Sequence, residues 1–261
     1  MKNIPHDYYL RFTDPLVYER ILNFHCQGNF IIHDATRHST SLHFFESKHL
    51  EDLTGNELRL YPPSKSIISA DSMTSLSSDL HRNESCDYFD KSHIDFDTVK
   101  QIVEPLTSRQ HNSFKRGYPS AGALYPTEIF VCCLTDQALD WPCEERILHL
   151  LPNSCEFEAV RNSEDVTPLK ISILTKDTDI GSPALAIVYT SFMPKTVFKY
   201  RYRGYRMALM EVGSMYMLTD LQVKKVGLQS RLWSAYNDTM LCKSIGINPA
   251  LFLPLCVQFI G

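Results

Sequence analysis

Apolar and polar positions recur along this chain with two different periods, which predict a mixture of helices and strands. The segment FDTVKQIVEPL has the i, i+3, i+4, i+7 spacing of one helical face. Its apolar positions are Val99, Ile102, Val103 and Leu106. Asp95 or Asp97 can cap the start of this helix, and Pro105 marks its end. A further helix is expected upstream in PLVYERILNFHCQGN, with Gly28 as its C-cap.

The C-terminal half carries the longest helical pattern. It runs from Arg206 to about Val226, roughly six turns at 3.6 residues each, with one mainly apolar face. The residues on that face are Met207, Met210, Ser214, Met217, Leu218 and Leu221. A shorter helix is predicted in DTMLCKSIGI, with Asp238 as its N-cap and Gly246 just beyond its end.

Short runs of β-branched, aromatic and aliphatic residues predict strands between these helices. They are TEIFVCCLT (127–135), ERILHLL (145–151), ALAIVYTSF (184–192) and the closing PLCVQFIG. The run at 184–192 is apolar on both faces, which is typical of an interior strand. The order of elements is therefore mixed α and β, and it contains no internal repeat.

A serine-rich segment, SKSIISADSMTSLSS at 64–78, predicts a linker. We place a soft boundary there. The chain then divides into an N-terminal, partly helical region at 1–77, which ends in this linker, and a main domain at 78–261.

The composition of the chain argues against several classes of protein function. The chain has 261 residues, 44% of them apolar, which is enough for a substantial core, and its net charge of −4 gives no global positive field for nucleic acid. No apolar run approaches the roughly 18 residues that span a bilayer, and MKNIPHDYYLRF lacks the apolar region of a signal peptide. We expect a cytoplasmic protein with reduced cysteines and no membrane partner.

The spacing of glycine, cysteine and histidine argues against several cofactor sites. The ten glycines form neither GxGxxG nor a P-loop, so a dinucleotide or phosphate bound on a glycine-rich turn is disfavoured. The cysteines contain no CxxC pair, and the histidines fit no HExxH or C2H2 spacing. No metal site is expected.

The segment RGYPSAGALYP (116–126) is the first candidate for chemistry. Two prolines stiffen a Ser-Ala-Gly turn just before a strand, and the small residues Ala121 and Gly122 let a flat ligand approach the backbone. Ser120 adds a hydroxyl and an N–H for the heteroatoms of such a ligand. From the local chemistry alone, an ordinary connection between a loop and a strand is equally compatible with this segment.

The segment FKYRYRGYR (198–206) is the second candidate, because it concentrates bases and tyrosines in an acidic chain. A lysine beside a tyrosine favours the phenolate, so that the tyrosine can act as a base next to a ligand. An arginine near the start of the long helix suits an anion. Two alternatives to a ligand site remain for this segment. One is an ordinary charged surface exposed to solvent, and the other, less supported, is binding of nucleic acid through phosphates and stacking.

The segment RLWSAYN (231–237) is the third candidate. The small residues between Trp233 and Tyr236 can present backbone N–H groups to a ligand. Taken alone, this segment is better explained by core packing of the two aromatic side chains.

Taken in order, PSAGALYP, ALAIVYTSF, KYRYRGYRMALMEVGSMY and the D-x3-C-x3-GI segment resemble one family. It is the thiazole/oxazole-forming peptide dehydrogenases of the SagB/McbC type, a branch of the nitroreductase-like flavoproteins. The resemblance is strong over about residues 80–261. The N-terminal TDPLVYERILNFHCQGNF also resembles the dehydrogenase subunit of microcin-B-type synthetases.

The resemblance implies an α+β, nitroreductase-like enzyme that binds FMN at the interface of a homodimer. It also implies a synthetase complex with a cyclodehydratase and a peptide-binding scaffold subunit. In that chemistry, Cys and Ser/Thr side chains of a precursor peptide are closed to thiazolines and oxazolines, which this subunit then aromatises. A base takes the ring proton, hydride passes to the flavin, and oxygen reoxidises the flavin.

The resemblance also assigns residues to roles. Lys199 and Tyr200 match the catalytic pair. The proposed cofactor-binding residues are Pro119, Ser120, Ala121 and Gly122 for the isoalloxazine, Ser234 and Ala235 for its polar edge, and Arg82 for the phosphate. The sequence departs from the family's Arg-x-Ser-x-Arg pattern, because Arg82-Asn-Glu-Ser-Cys-Asp has no second arginine in register. Arg203 or Arg206 is the expected substitute.

Two other functions remain open from the sequence. One is an NAD(P)H-dependent nitro- or flavin reductase of the same fold. The other, kept open by the missing second arginine, is a flavin-free structural subunit of a peptide-modifying complex.

Overall fold

A six-stranded antiparallel sheet forms the centre of the computed structural model, which describes residues 8–29, 78–90, 93–108, 114–135, 138–174 and 178–261. Its strand order is β5-β4-β2-β6-β8-β7. The strands are β2 Thr127–Cys133, β4 Ile147–Leu151, β5 Glu156–Ala159, β6 Leu185–Phe192, β7 Ser230–Trp233 and β8 Phe252–Ile260. Two short strands, β1 Ile94–Asp95 and β3 Ala138–Leu139, pair in parallel in a small separate sheet.

Strand β6 confirms the interior strand predicted at 184–192. All eight of its residues are buried, and it lies between β2 and β8. A register shift against β8 falls between Tyr189 and Thr190. The short strands β5 and β7, at the two edges of the sheet, were not predicted, because each has only four residues and β7 has no period-2 pattern.

Helices cover both faces of the sheet. They are α1 Pro15–Gln27, α2 Phe96–Val103, α3 Thr167–Ile173, α4 Pro194–Tyr200, α5 Tyr202–Lys225 and α6 Asp238–Ser244. Residues of α2 and α5 pack against one face through the core cluster that includes Ile129, Ile187 and Met215. Residues of α3 and α6 pack against the opposite face, which includes Phe130 and Val188.

The predicted helix ends are mostly confirmed. Asp95 caps α2 by accepting a hydrogen bond from the backbone N of Thr98, at 2.6 Å. Gly28 is the C-cap of α1, and Gly246 follows the C-cap of α6 with a φ of +74°. The long helix α5 is confirmed, although it begins at Tyr202 rather than at the predicted Arg206. The predicted apolar face of α5 is wrong, because its buried residues include Ala208, Val212 and Met215, whereas Met210 is 66% exposed.

The prediction of Asp238 as the N-cap of α6 is wrong. Asn237 is the cap, and its side chain accepts from the backbone N of Met240 at 2.9 Å. Asp238 is the first helical residue, and its carboxylate instead lies 3.1 Å from Nε2 of His25. Asn237 and Asp238 are both residue types that can cap a helix. Because Asp238 contacts His25 of α1, Asn237 serves as the cap.

Helix α1 is joined to the main sheet domain by packing and by polar contacts. Val17 and Ile21 are buried against Met193, Val197 and other residues of α4, α5 and β8. Residues 30–77, which include the serine-rich segment up to Ser77, lie outside the described residues. Among the described residues, no helix has both the length and the apolar character needed to cross a bilayer.

Candidate active site

The turn Pro119–Gly122, called the PSAG turn below, connects to β2 through strained backbone. Gly122 has a φ of +62°, and two residues that follow it, Ala123 and Tyr125, also have positive φ values of +53° and +48°. For residues with a Cβ this left-handed region costs about 1–2 kcal/mol each. Such strain persists only where the surrounding structure holds the backbone in place.

A buried carboxylate under the turn provides part of this support. Glu211 of α5 is 3% exposed, and its Oε1 accepts a hydrogen bond from the backbone N of Thr127 at 3.2 Å. Glu211 also bonds with the Ser120 hydroxyl, whose Oγ accepts from the backbone N of Tyr125 at 2.9 Å. Burial raises the pKa of Glu211 above its usual value, although these hydrogen bonds oppose that rise.

A buried arginine supports the same turn from its N-terminal side. Arg116 is 7% exposed, and its Nη1 donates to the Tyr118 hydroxyl at 2.8 Å. The Arg116 guanidinium lies 4.4 Å from the ring centroid of Tyr125, and the Arg116 backbone N donates to the Tyr125 hydroxyl at 3.1 Å. Burial raises the pKa of Tyr118, which keeps this phenol protonated. Sequence reasoning assigned no role to Glu211 or Arg116.

The catalytic pair predicted from the sequence meets the PSAG turn in space. Lys199 and Tyr200 are the last two residues of α4. A Cβ placed on Gly122 would lie 2.5 Å from the Tyr200 hydroxyl oxygen and 2.9 Å from Lys199 Nζ. The ammonium of Lys199 is 5.2 Å from the centroid of the Tyr200 ring. The first two candidate segments therefore form one site, in which the missing side chain of Gly122 leaves room for the pair.

A sharp change of chain direction presents this pair at the surface of the domain. Arg201, the residue between α4 and α5, has φ +50° and ψ −133°. Its guanidinium Nη2 lies 3.0 Å from Oδ2 of Asp14, the N-cap of α1. The backbone N of Val17 and then this guanidinium lower the pKa of the Asp14 carboxyl. Arg203 and Arg206 follow as exposed residues in the first turns of α5.

Arg82, predicted to bind the phosphate, pairs with the buried carboxylate of Asp220 and has no contact with the PSAG turn among the described hydrogen bonds. Its Nε lies 2.6 Å from Oδ2 of Asp220, and its Nη2 lies 3.3 Å from the Ser85 hydroxyl. Asp220 is 5% exposed and also accepts a hydrogen bond from the Ser230 hydroxyl. The assignment of Arg82 to a phosphate stays a prediction.

Ser234 and Ala235 follow β7 directly, in a loop that enters α6. The carbonyl of Ala235 accepts a hydrogen bond from Nε1 of Trp233 at 3.0 Å. Trp233 and Tyr236 both pack in the core cluster that contains Phe130 and Val188. The two aromatic side chains therefore have the core-packing role that the segment alone predicts. The role of Ser234 and Ala235 at a flavin edge stays a prediction.

Ser234 lines a cavity of about 160 Å³ that includes residues from α1 and α5. In this cavity His25 lies between two partners. Its Nδ1 is 3.1 Å from the Tyr205 hydroxyl, and its Nε2 is 3.1 Å from Oδ1 of Asp238. Burial and then the charge of Asp238 raise the pKa of Tyr205. Helix α1 therefore lines one side of this cavity, next to the third candidate segment RLWSAYN. Local sequence patterns do not predict this contact between α1 and the segment.

A second ionic cluster lies on the opposite face of β2. His149 has Nε2 3.1 Å from Glu128 and Nδ1 3.3 Å from Glu158, and its ring stacks on Phe130 at a centroid distance of 4.9 Å. Burial alone would lower the pKa of His149, but the two carboxylates raise it overall. For Glu128, burial opposes ionisation, but His149 and Lys195 lower its pKa overall. These residues border a cavity of about 510 Å³.

The sheet order, with helices on both faces, defines the nitroreductase-like class of folds. The chain superposes on a nitroreductase of Ralstonia eutropha JMP134 with a TM-score of 0.57, at 14% identity, over 77% of this chain and 86% of that one. It superposes on an NAD(P)H:FMN oxidoreductase of Staphylococcus epidermidis with a TM-score of 0.50, at 13% identity, over 70% and 84% of the two chains. At these identities the comparison shows the fold alone.

Sequence similarity identifies the branch of this class. The chain is 34% identical over 252 residues to the microcin B17-processing protein McbC of Escherichia coli, covering 96% of this chain and 92% of that protein. It also superposes on a chain of the E. coli microcin synthetase McbBCD complex with truncated pro-MccB17 bound. That match has a TM-score of 0.86 and 33% identity, over 100% of this chain and 98% of the other. The protein therefore belongs to the McbC family. A scan against protein-family models finds no match.

Proposed function

We propose that this protein is an FMN-dependent dehydrogenase that oxidises thiazoline and oxazoline rings to thiazoles and oxazoles in a microcin-like precursor peptide. The observation that carries the proposal is the meeting of Lys199 and Tyr200 with Gly122 in a chain of the McbC family. Family membership supports the reaction class. The geometry supports the assignment of the reacting groups.

The residues around the PSAG turn fit a flavin. Gly122 has no side chain and is exposed at the turn, so a planar ring can approach its backbone closely. The side-chain hydroxyl of Ser191 and the Nε of Arg116 are buried without a hydrogen-bond partner among the described residues. Thr127 and Ser191 are direct partners across β2 and β6, so these polar atoms lie next to the carboxylate that holds the turn. Bound FMN would supply a hydride acceptor there.

The side chains of this chain handle the proton. Aromatising one azoline ring removes two hydrogens, one as a hydride and one as a proton. Tyr200 is the proposed base that takes the ring proton, and the ammonium of Lys199 lies beside its ring, 5.2 Å from the ring centroid. A positioned base of this kind contributes about 10²–10⁴-fold to a rate.

Arginines at the start of α5 are suited to the phosphate of FMN. Arg203 and Arg206 are exposed in the first turns of a 24-residue helix, whose N-terminus favours an anion. Arg82 is tied to the buried carboxylate of Asp220, so we place it as a lesser contributor. Ser234 and Ala235 are proposed to contact the polar edge of the flavin.

A homodimer within a larger synthetase complex is the proposed assembly. Leu209 and Met210 are adjacent apolar residues of α5 and are 44% and 66% exposed. Pairing of two copies would cover them. The other proposed partners are the precursor peptide, a cyclodehydratase and a peptide-binding scaffold subunit, by analogy with the McbBCD complex. All eight cysteines are free thiols, which agrees with the cytosolic location that we propose.

Substitution of Tyr200 by phenylalanine tests the proposal. The precursor peptide is made together with the cyclodehydratase and either the wild-type protein or Tyr200→Phe, and its mass is measured. We expect a loss of two hydrogens per ring with the wild-type protein only, while the purified variant keeps the visible absorption of flavin. Full ring oxidation by Tyr200→Phe would remove Tyr200 from the mechanism.

The same preparation separates the proposal from its alternatives. A colourless wild-type protein that takes up no added FMN would indicate a structural subunit. Rapid reduction of bound FMN by NADPH, without any dependence of ring oxidation on this chain, would indicate a nitro- or flavin reductase.

A further inference from the structure

Glu211 is a buried acid that the proposed chemistry does not use. Helix α5 carries it under the PSAG turn, where it is 3% exposed. Its Oε1 accepts a hydrogen bond from the backbone N of Thr127, at the start of β2, at 3.2 Å, and the Ser120 hydroxyl, at the turn itself, is close enough to lower the pKa of this carboxyl. A single side chain from another element therefore joins the two ends of the strained segment that contains Gly122.

Arg116 supports the segment from its N-terminal side, and the backbone hydrogen bonds within the segment are local. They run from the backbone N of Ala123 to the Ser120 carbonyl at 3.0 Å and from that of Leu124 to the Ala121 carbonyl at 3.3 Å. These bonds close the turn but do not place it relative to α4. Because Ala123 and Tyr125 have left-handed backbone, the unsupported segment would relax to a less strained shape.

Two donors face the Glu211 carboxylate, the Ser120 hydroxyl and the backbone N of Thr127. The Ser120 Oγ already accepts from the backbone N of Tyr125, so its proton is free to be donated to Glu211. The backbone N of Thr127 is also a donor. A carboxylate accepts at both oxygens, whereas a glutamine presents an NH₂ group at one of them.

We propose that Glu211 is a positioning residue, which holds the PSAG turn in the shape that brings Gly122 against Lys199 and Tyr200 and so forms the flavin surface. The flavin part of this inference rests on the proposed function. The positioning part does not, because it concerns the backbone of the chain without any ligand.

The test compares Glu211→Gln with Glu128→Gln in the full-length protein. Glu128 is a suitable control because it is another hydrogen-bonded glutamate at the same strand start, but it is half-buried and faces His149 on the opposite side of β2. Two quantities are measured: the dissociation constant of FMN by flavin fluorescence, and the hydrogen exchange of the Leu124 and Tyr125 amides in flavin-free protein. Thermal unfolding of each flavin-free variant reports on the fold as a whole.

We expect Glu211→Gln to weaken FMN binding by about 10- to 100-fold, the usual effect of losing a hydrogen bond to a charged group. Exchange of the Tyr125 amide should accelerate by a similar factor. Glu128→Gln should change neither quantity beyond the effect of its own loss of stability. Combining Glu211→Gln with Ser120→Ala should cost little more than the worse single change, since both act on one hydrogen-bond network.

Unchanged amide exchange at Leu124 and Tyr125 in Glu211→Gln, or equal acceleration in Glu128→Gln, would overturn the positioning role. Faster exchange with unchanged FMN affinity would overturn the link between the turn and the flavin. If the wild-type protein binds no FMN, the proposed function fails, and the exchange measurement still decides whether Glu211 positions the turn.

Discussion

Replacement of Gly122 by alanine should impair ring oxidation far more than it impairs folding. Alanine at a φ of +62° costs about 1–2 kcal/mol in the left-handed region, partly offset by the lower entropy of the unfolded chain. The net loss of about 1 kcal/mol corresponds to a fall in Tm of roughly 2–4 °C for a domain of this size. The protein should therefore remain folded at room temperature.

The catalytic pair is affected more strongly than the fold. The new Cβ would lie 2.5 Å from the Tyr200 hydroxyl, where ordinary contact begins near 3.4 Å, so the hydroxyl has to move by about 0.9 Å. It can do so, because it is the end of a flexible side chain. A displacement of about 1 Å in a reacting group can cost on the order of 10²-fold in rate, or about 2.7 kcal/mol.

Gly227→Ala is the matched control for this prediction. Gly227 has a φ of +79°, but a Cβ there meets nothing within 4 Å. It should therefore lose a similar amount of stability and keep full activity. The measurements are thermal unfolding and the mass of the precursor peptide, followed over time as rings lose two hydrogens. If Gly122→Ala oxidised rings at the wild-type rate, or if Gly227→Ala lost as much activity, the contact between Gly122 and Tyr200 would not matter to the reaction.

Three further predictions concern other contacts. Asp14→Ala should lower the urea midpoint more than Asp14→Asn, because asparagine keeps the cap of α1 and loses only the exposed pair with Arg201; equal midpoints would assign the effect to the pair. His149→Gln should lower the stability of the folded protein most between pH 4.5 and 6.5. The raised pKa of His149 contributes stability that is lost as pH rises, and the lowered pKa of Glu128 contributes stability that is lost as pH falls. A difference in Tm between variant and wild type that does not change with pH would contradict this. Met210→Glu should shift the proposed homodimer towards monomer in light scattering, and an unchanged mass would place the dimer contact elsewhere.

The sequence by itself determined the elements with strong periodicity and the composition of the site segments. The buried face of α2 and the fully buried β6 follow from spacing alone. For α5 the spacing predicted a helix but the wrong buried face, because Ala208 and Val212 are buried whereas the predicted Met210 is 66% exposed. The proline-flanked turn and the Lys199–Tyr200 pair could also be identified as candidate chemistry, since they combine unusual residue types over a few positions.

Only the tertiary structure decided which of these residues meet. Gly122 and Tyr200 are far apart in the chain and come together because β2 and β6 are neighbours in the sheet and α4 follows β6 directly. Glu211 lies on the buried face of α5, but the apolar pattern predicted a different face of this helix, so the sequence does not reveal that this carboxylate points inward. Local periodicity encodes backbone shape and burial, whereas hydrogen bonds between distant segments depend on strand order and helix packing, which no short stretch of sequence contains.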